Sequence, residues 1–432
     1  MTIDFNNKKF LILGAGLTGV SIARYLATKK ACVSIVDDYQ TIIQIKKIIN
    51  DTSNINLIGK KSDEIAVEKF DYLGLSPGVP LSHHLVRKAK KFSVPLISDI
   101  DIFFNDTSFF PKSVLVGITG SNGKTTVANM IGSICMAAGK TCLLAGNIGT
   151  PVLDVLRHLE SSNEVVPSVI VLELSSFQLD LMQTNLLQIA VILNITEDHL
   201  DRYKSFDDYV YSKLHIFKGA SKKIINRSCL KFAPFTQKKY TTFGIDQASR
   251  NNDWRLSDTT DHGVILHGEK KLMSIKTLKV LGLHNVENAM ASAAVCDLID
   301  IEFKTIAIGL QTFMGLPHRS ALVREINTIK FIDDSKGTNV GAVIAALSDY
   351  QGTAIPILGG DGKGQDFTPL RIAVSASCRA VILIGRDKAI IATVLEGLKI
   401  PMVLADSMDD AVNAAFKIAK TGDAVILSPG CA

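Results

Sequence analysis

The chain has no CxxC pair. Its seven cysteines, at positions 32, 135, 142, 229, 296, 378 and 431, lie scattered, and an odd, dispersed set in 432 residues reads as reduced thiols in a cytoplasm, not as a disulfide framework. No uninterrupted apolar run reaches membrane-spanning length, and the opening MTIDFNNKKF carries no apolar leader. The expectation is a soluble, cytoplasmic protein with no membrane partner. There is no dense basic stripe either: Lys+Arg 47 against Asp+Glu 42 leaves a charge of +5, so nucleic acid is not an expected partner. Short-period repeats, low-complexity tracts and coiled-coil heptads are missing as well, which excludes solenoids and fibres. What is present is 47% hydrophobic and 21% charged, enough apolar material to bury sizeable cores. The length suits roughly three domains.

The first segment begins with the apolar strand Lys9-Phe-Leu-Ile-Leu13. GAGLTG (Gly14 to Gly19), the helical pattern VSIARYLATKK and a second strand, CVSIVDD, ending in Asp37 and Asp38, follow. This βαβ unit has a GxGxxG turn and an acid after its second strand, the form of a dinucleotide-binding fingerprint. Glycine turns between strand and helix also serve packing, and the residues leave both open. A strand-end turn, Gly74-Leu-Ser-Pro-Gly78, comes next, and the segment closes near Asp99-Ile-Asp-Ile-Phe103. Polar Asn105-Asp-Thr-Ser108 and Pro111 mark a linker. The second segment alternates apolar strands (VLVGIT, VIVLEL, AVILNI) with helical stretches, which predicts a mostly parallel sheet. Residues 221–275, with YTTFGI and GVILHG, predict a small antiparallel addition before an alanine-rich helix. From Gly315 the strands IKFIDD, AIPIL, AVILIG, PMVLAD and DAVILS form another α/β region. The fold class is therefore α/β in three domains: a Rossmann-like one over residues 1–105, a P-loop ATPase-type parallel sheet over 106–314 and a second Rossmann-like one over 315–432.

The clearest chemistry lies in GITGSNGKTT, Gly117 to Thr126, where a strand turns through glycines into a helix. Backbone amides at such a loop cradle phosphates, a lysine such as Lys124 reaches the β- and γ-phosphates, and a hydroxyl such as that of Thr125 can ligate Mg²⁺. The usual GxxxxGK spacing would put glycine at 118, where this chain has Ile118. Glu173 ends the strand VIVLE, placed like a metal or water acid beside a triphosphate, although a helix-capping role fits the same position. His199, in Asn194-Ile-Thr-Glu-Asp-His199-Leu-Asp-Arg202, follows a strand among acids, which raises a metal role over a structural one. Lys213 sits in a helical stretch, and from the residues alone it is a solvated surface lysine.

GITGSNGKTT, GNIGTP (146–151), ELSSFQL (173–179), NITEDHLDR (194–202), the helical Lys213, GLHNVENA (282–289), GLPHR (315–319), DDSKGTN (333–339) and GGDGKG (359–364) occur in this order. Together they resemble the Mur ligases over essentially the whole chain. DDSKGTN and GGDGKG, with no DNPR-type motif, are similar to the members that add D-glutamate, and the irregular glycine spacing at Ile118 is a form this family uses. The resemblance implies ATP-dependent, ADP-forming amide synthesis, with Mg²⁺, UDP-N-acetylmuramoyl-L-alanine and D-glutamate as partners and a monomeric chain. The carboxylate would take the γ-phosphoryl group, and the amine would then displace phosphate from the acyl phosphate. It implies nucleotide binding by Gly120, Asn122, Gly123, Lys124, Thr125 and Thr126, with Asn285, Asn288, Arg319 and Asp334 contributing from further along. Catalysis would involve Lys124, Asn147, Glu173, His199 and Lys213. Metal would be held by Thr125, Glu173, His199 and Lys213, the last as an N-carboxylated side chain. The UDP group would rest on Gly16, Leu17, Thr18, Gly19, Asp37, Ser76, Pro77 and Gly78, and the D-glutamate side chain on Lys336, Thr338 and Lys363.

Two departures from the family pattern bear on this. Ser320 and Ala321 stand where a large apolar residue and then an acid or amide are usual. The family pattern also runs on past Ser428-Pro-Gly-Cys-Ala432, through a serine that contacts the D-glutamate carboxylate and an SxDxF…RG segment. Without those residues, the expectation is normal ATP binding with weakened affinity for D-glutamate, or in the limit a nucleotide-binding protein without ligase activity. A folylpolyglutamate-type ligase shares the P-loop and acids but lacks a domain like residues 1–105. A dehydrogenase finds no support beyond GAGLTG.

Overall fold

The computed structural model describes residues 3–46, 54–59, 65–106, 110–162, 165–199, 202–233, 240–246, 253–260, 262–280 and 282–432. Thr107 and Ser108 of the expected linker, and Leu200 and Asp201 of NITEDHLDR, lie outside them. The chain divides into two compact units. One comprises residues 1–119, 139–191 and 212–223, the other 120–138, 192–211 and 224–432.

In the first unit, β1 (Lys9–Leu13), β2 (Cys32–Val36), β3 (Ile55–Ile58), β4 (Tyr72–Leu75) and β5 (Leu96–Ile97) form a parallel sheet in the order β3-β2-β1-β4-β5. The central β1 is a continuous apolar run because both faces of a parallel sheet are covered; Phe10, Leu11 and Ile12 are fully buried. The strand order reverses beside β1, so the loops after β1 and β4 flank the crevice where ligands of such sheets bind. Tyr25, on the helix Leu17–Thr28, bonds Asp106 and Glu160, and Lys29 Nζ pairs with the same two acids at 3.3 and 3.0 Å. The same unit holds β6 (Val114–Thr119), β7 (Cys142–Gly146), β8 (Val169–Glu173) and β9 (Ile189–Ile192), in the order β9-β6-β8-β7. β6, β7 and β8 are parallel, with Ile118 and Gly146 both in register with Glu173, so three strands end level.

The second unit carries β10 (Lys222–Asn226, from Ile224 on), β11 (Thr241–Gly244), β12 (Trp254–Leu256), β13 (Val264–His267) and β14 (Lys270–Ser274). The expected antiparallel addition is only half right: β10, β11 and β12 run parallel, and only β12, β13 and β14 are antiparallel. The reason is connection length. Residues 227–240 and 245–253 are too long for hairpins, whereas Gly268-Glu269 makes a two-residue turn. The last sheet is β15 (Ala321–Ile326), β16 (Ile329–Asp333), β17 (Ala354–Leu358), β18 (Val381–Leu383), β19 (Met402–Leu404) and β20 (Ala424–Leu427), ordered β15-β16-β20-β17-β18-β19. It is parallel except for the β15–β16 hairpin. Ile332, Leu358, Leu383 and Ile426 pack on one face against the helices Val340–Leu347, Leu370–Ser377 and Lys388–Leu395. Ile357, Ile382 and Val425 pack on the other against Met408–Ile418.

Asp99 opens the helix Asp99–Asn105 and is buried. Its Oδ2 accepts a bond from Gln178 Nε2 at 3.1 Å, while its Oδ1 has no partner. Burial pushes its carboxyl up to about 6, against the Gln178 bond, which works the other way. The folded state therefore binds the proton more tightly than the unfolded one, and this group's contribution to stability falls as pH rises from the unfolded carboxyl range to about 6. Asp99→Asn should gain stability relative to the wild type on going from pH 4.5 to pH 7.5 in urea titrations. A difference independent of pH would show that Asp99 is not held protonated.

Candidate active site

β6 remains extended through Thr119, so Ile118 lies within the strand and is fully buried. That is why position 118 needs no glycine. The turn itself is Gly120-Ser-Asn-Gly123, leading into the helix Lys124–Ala137. Gly123 has φ +84°, and a Cβ there would lie 2.5 Å from Asn288 Oδ1, so only glycine fits. The loop is held from several directions within the second unit. Asn194 accepts from Asn122 N–H at 2.8 Å through Oδ1 and donates to Asn122 O at 3.1 Å through Nδ2. Ser121 N–H donates to Asn194 O (3.0 Å), and Ser121 Oγ reaches Thr196 O and the Tyr209 hydroxyl, each at 2.9 Å. The Asn122 and Asn339 side-chain amides bond each other reciprocally, both at 3.1 Å. Lys124 Nζ folds back onto the carbonyls of Gly120 (2.8 Å) and Ser121 (3.0 Å), and Arg319 Nη2 donates to Thr125 Oγ1 at 2.9 Å. An anion seated here meets the positive end of a helix and two cations.

A cavity of about 200 Å³ lies beside this loop, lined by Gly123, Thr126, Asn285, Asn288, Arg319, Asp334 and Lys336 among others. Seven residues of the expected nucleotide set, Asn122 included, therefore share one cavity, and Lys336, expected at the acceptor amino acid, joins them. Asn285 and Asn288 are tied together, Nδ2 of Asn288 donating to Oδ1 of Asn285 at 3.1 Å. Asp334 accepts from Ser428 Oγ (2.8 Å) and from Ser320 N–H (3.0 Å), so the serine that departs from the family pattern braces this acid. Burial raises the Asp334 carboxyl above the ordinary range, while those bonds act against it.

In the first unit the carboxyl ends of β7 and β8 bring two expected residues together. Asn147 Nδ2 donates to Glu173 Oε1 at 3.1 Å, and Asn147 N–H donates to Glu173 O at 2.8 Å. Lys213 is 2% exposed, contrary to the surface position read from the residues alone. Tyr209, Val210, Lys213, Ile216 and Phe217 form one buried stripe at helical spacing, and the lysine belongs to it. His199 has φ +55°, and its Nε2 lies 3.7 Å from Asp198 Oδ2. Among the described residues no three His, Cys, Asp or Glu side chains converge as a metal cage. The donors nonetheless suit Mg²⁺, which keeps waters and needs only one or two carboxylates besides phosphate oxygens. Within the first unit Glu173 offers oxygen; within the second Thr125 does, while the imidazole of His199 is a softer donor than Mg²⁺ prefers.

In the GAGLTG turn one glycine is explained by packing, while another part of the turn is open. A Cβ on Gly19 would lie 1.9 Å from Gly14 O, so that glycine is there for packing. Gly16 stands before the helix as its N-cap, and Leu17 is 82% exposed, leaving that face of the turn open to a ligand. Thr18 lies in the first turn of the same helix. Asp37 Oδ2 accepts from Ala15 N–H at 2.6 Å and so braces the turn. Ser76 is buried against Gly14, while Gly78, after Pro77, is open. Thr338 and Lys363 are exposed, and Lys363 has φ +49° with its N–H donating to Asp361 Oδ1. Reading the sequence missed Asn194, Asn339, Thr196 and Tyr209, whose contacts depend on tertiary placement. It also missed β15, an exposed edge strand without apolar alternation, whose only signal was Asn327-Thr328 with both φ positive.

Among the described residues no helix is long and apolar enough to cross a membrane. Three family models match in succession: the Mur ligase MurD-like N-terminal domain over residues 8–98, the Mur ligase middle domain over 118–296, and the Mur ligase glutamate ligase domain over 318–431. The UDP-N-acetylmuramoylalanine–D-glutamate ligases of Thiobacillus denitrificans and Methylobacillus flagellatus are each 38% identical, with 100% of this chain and 93% of each relative aligned. Among solved structures, a pseudomurein peptide ligase type C from Methanothermus fervidus superposes with a TM-score of 0.58 at 20% identity. It covers 98% of this chain and 96% of that one. UDP-N-acetylmuramate-alanine ligase from Thermotoga maritima gives 0.57 at 17%, with the same coverage. These two establish likeness of fold, and the match in order of all three domain models places the chain in the Mur ligase family.

Proposed function

We propose that the protein is an ATP-dependent, ADP-forming ligase that joins D-glutamate to UDP-N-acetylmuramoyl-L-alanine in the synthesis of peptidoglycan precursors. The observation that carries this is the braced loop Gly120–Gly123, with Lys124 and Arg319 on it and the Asn288–Asp334 cavity beside it. The division at 105/106 and 314/315 separates a UDP-binding domain, an ATP-binding domain and an acceptor domain. Gly16, Leu17, Thr18, Gly19, Asp37, Ser76, Pro77 and Gly78 hold the UDP group, the helix end supplying amides for the diphosphate.

A carboxylate does not condense with an amine at neutral pH without a better leaving group, so the muramoyl-alanine carboxylate first takes the γ-phosphoryl group. The ammonium of Lys124 leaves the Gly120 and Ser121 carbonyls for the phosphate and offsets the charge in transfer. Mg²⁺, when bound, neutralises phosphate charge, with Thr125, Glu173, His199 and an N-carboxylated Lys213 as its holders. Asn147 fixes the orientation of the Glu173 carboxylate. A carbamate on Lys213 turns a cation into an anionic oxygen donor, which gives a buried lysine a reason to be there. Lys336, Thr338 and Lys363 receive the side-chain carboxylate of D-glutamate, whose amine displaces phosphate. Chemistry of this kind depends on positioning and charge neutralisation.

The test is ADP release with UDP-N-acetylmuramoyl-L-alanine and a panel of amino acids. Release that depends on D-glutamate supports the assignment, and equal release with other acceptors refutes it. Lys124→Ala should lower turnover by at least about a hundredfold while circular dichroism stays unchanged; near-wild-type ADP release would contradict the loop's role. Lys213→Ala should be inactive and partly restored by acetate, since a small carboxylate replaces the lost anionic donor. Full activity of Lys213→Ala without acetate would remove the carbamate from the scheme.

A further inference from the structure

Glu287 was not among the expected site residues, yet it lines the same cavity as Asn288 and Asp334. It sits on the helix Leu283–Asp297, near the buried ring of Phe243 and the buried Leu193, which line the cavity too. Its Oε1 accepts from Asn226 Nδ2 at 2.9 Å. That amide cannot turn over: Asn226 is 3% exposed, and its Oδ1 already accepts from Ser228 N–H at 3.0 Å and Ser228 Oγ at 2.9 Å. Nδ2 is thereby committed to Glu287, and the carboxylate is fixed in place. No other hydrogen bond reaches this carboxylate among the described residues. The nearby Arg227 is spent on Asp246 and on the carbonyls of Gly244 and Trp254.

A carboxylate takes up to about four hydrogen bonds. Here one is filled, at the wall of a cavity whose apolar lining of Leu193, Phe243 and Ala345 suits a flat ring. We propose that Glu287 reads the nucleotide base: its unfilled oxygen accepts from an exocyclic amine, so that an amino-purine is selected over an oxo-purine. An oxo group in the same position would set acceptor against acceptor, and a site built to bond a donor rejects a ligand that lacks one. Burial raises the Glu287 carboxyl above the ordinary range, with the Asn226 bond acting against it, as befits an acid short of partners. The inference rests on the assignment of this cavity to ATP.

ATP and ITP differ on the purine chiefly in this group, so they are the probes. Wild-type protein should prefer ATP by about tenfold to hundredfold in kcat/KM. Glu287→Gln keeps an oxygen for Asn226 and offers an amide N–H to an oxo group. Its ATP-to-ITP ratio should fall by at least about tenfold, with KM for ITP falling and KM for ATP rising. Glu287→Ala should lose the ATP preference without gaining ITP. Thermal melting of both variants checks that they fold. If ATP protects the wild type from melting but the ratio is the same in Glu287→Gln, the residue is only an anchor for Asn226 and the proposal is wrong. If neither nucleotide shifts the wild-type melting temperature, the assignment of the cavity to ATP fails, and the proposal with it.

Discussion

The four residues between the end of β6 and the helix Lys124–Ala137 must hold one bend in front of the helix N-terminus, because a multiply charged phosphate is held better by fixed dipoles than by flexible cations alone. Glycine at 123 permits the bend, but glycine cannot hold it. The shape is imposed by groups that return to the loop from elsewhere in the second unit: the Asn194 side chain on both backbone polar groups of Asn122, the Asn339 side chain on the Asn122 amide, and the Thr196 backbone and the Tyr209 hydroxyl around Ser121. Lys124 rests on carbonyls of the same loop, so its ammonium is partnered before any phosphate arrives.

The acids of the second unit divide by environment. Asp333 lies near the surface; burial acts against its charge, but bonds from Ser335 and His318 prevail and hold its carboxyl below the ordinary range. Its neighbour Asp334 is turned inward and raised by burial, although Ser428 and Ser320 bond it. Adjacent residues of one strand end thus take opposite roles, one a solvated partner for a histidine, the other an acceptor inside a cavity. Glu287 belongs with Asp334: both are carboxylates whose remaining acceptor capacity suits a polar ligand group.

Much of this was legible in the sequence wherever a local rule applied. Apolar runs ending in glycine turns located β1, β6, β16, β17 and β20, the apolar run VIVLE located β8, and the order of motifs picked out Asn288, Arg319 and Asp334, which share one cavity. Lys213 was recoverable only through the family resemblance, because a single lysine in a helix carries no sign of burial, although the stripe of Tyr209, Val210, Ile216 and Phe217 was there to be seen. The parallel pairing of β10, β11 and β12 was hidden because short strands of mixed polarity look alike whichever way they pair. Asn194 and Asn339 were beyond reach for a different reason. Each acts through a contact made across many residues of sequence, and an asparagine at a strand end or before a helix is ordinary turn and capping chemistry.

The shape of the loop, and not merely its lysine, creates the anion site. Calorimetric titration of ATP into the wild type and into Asn194→Ala measures this, since Asn194 holds Asn122 at both its backbone N–H and its C=O. Binding should be weaker by about tenfold or more in the variant, with Lys124 and Thr125 untouched. Equal affinity in the two proteins would contradict it.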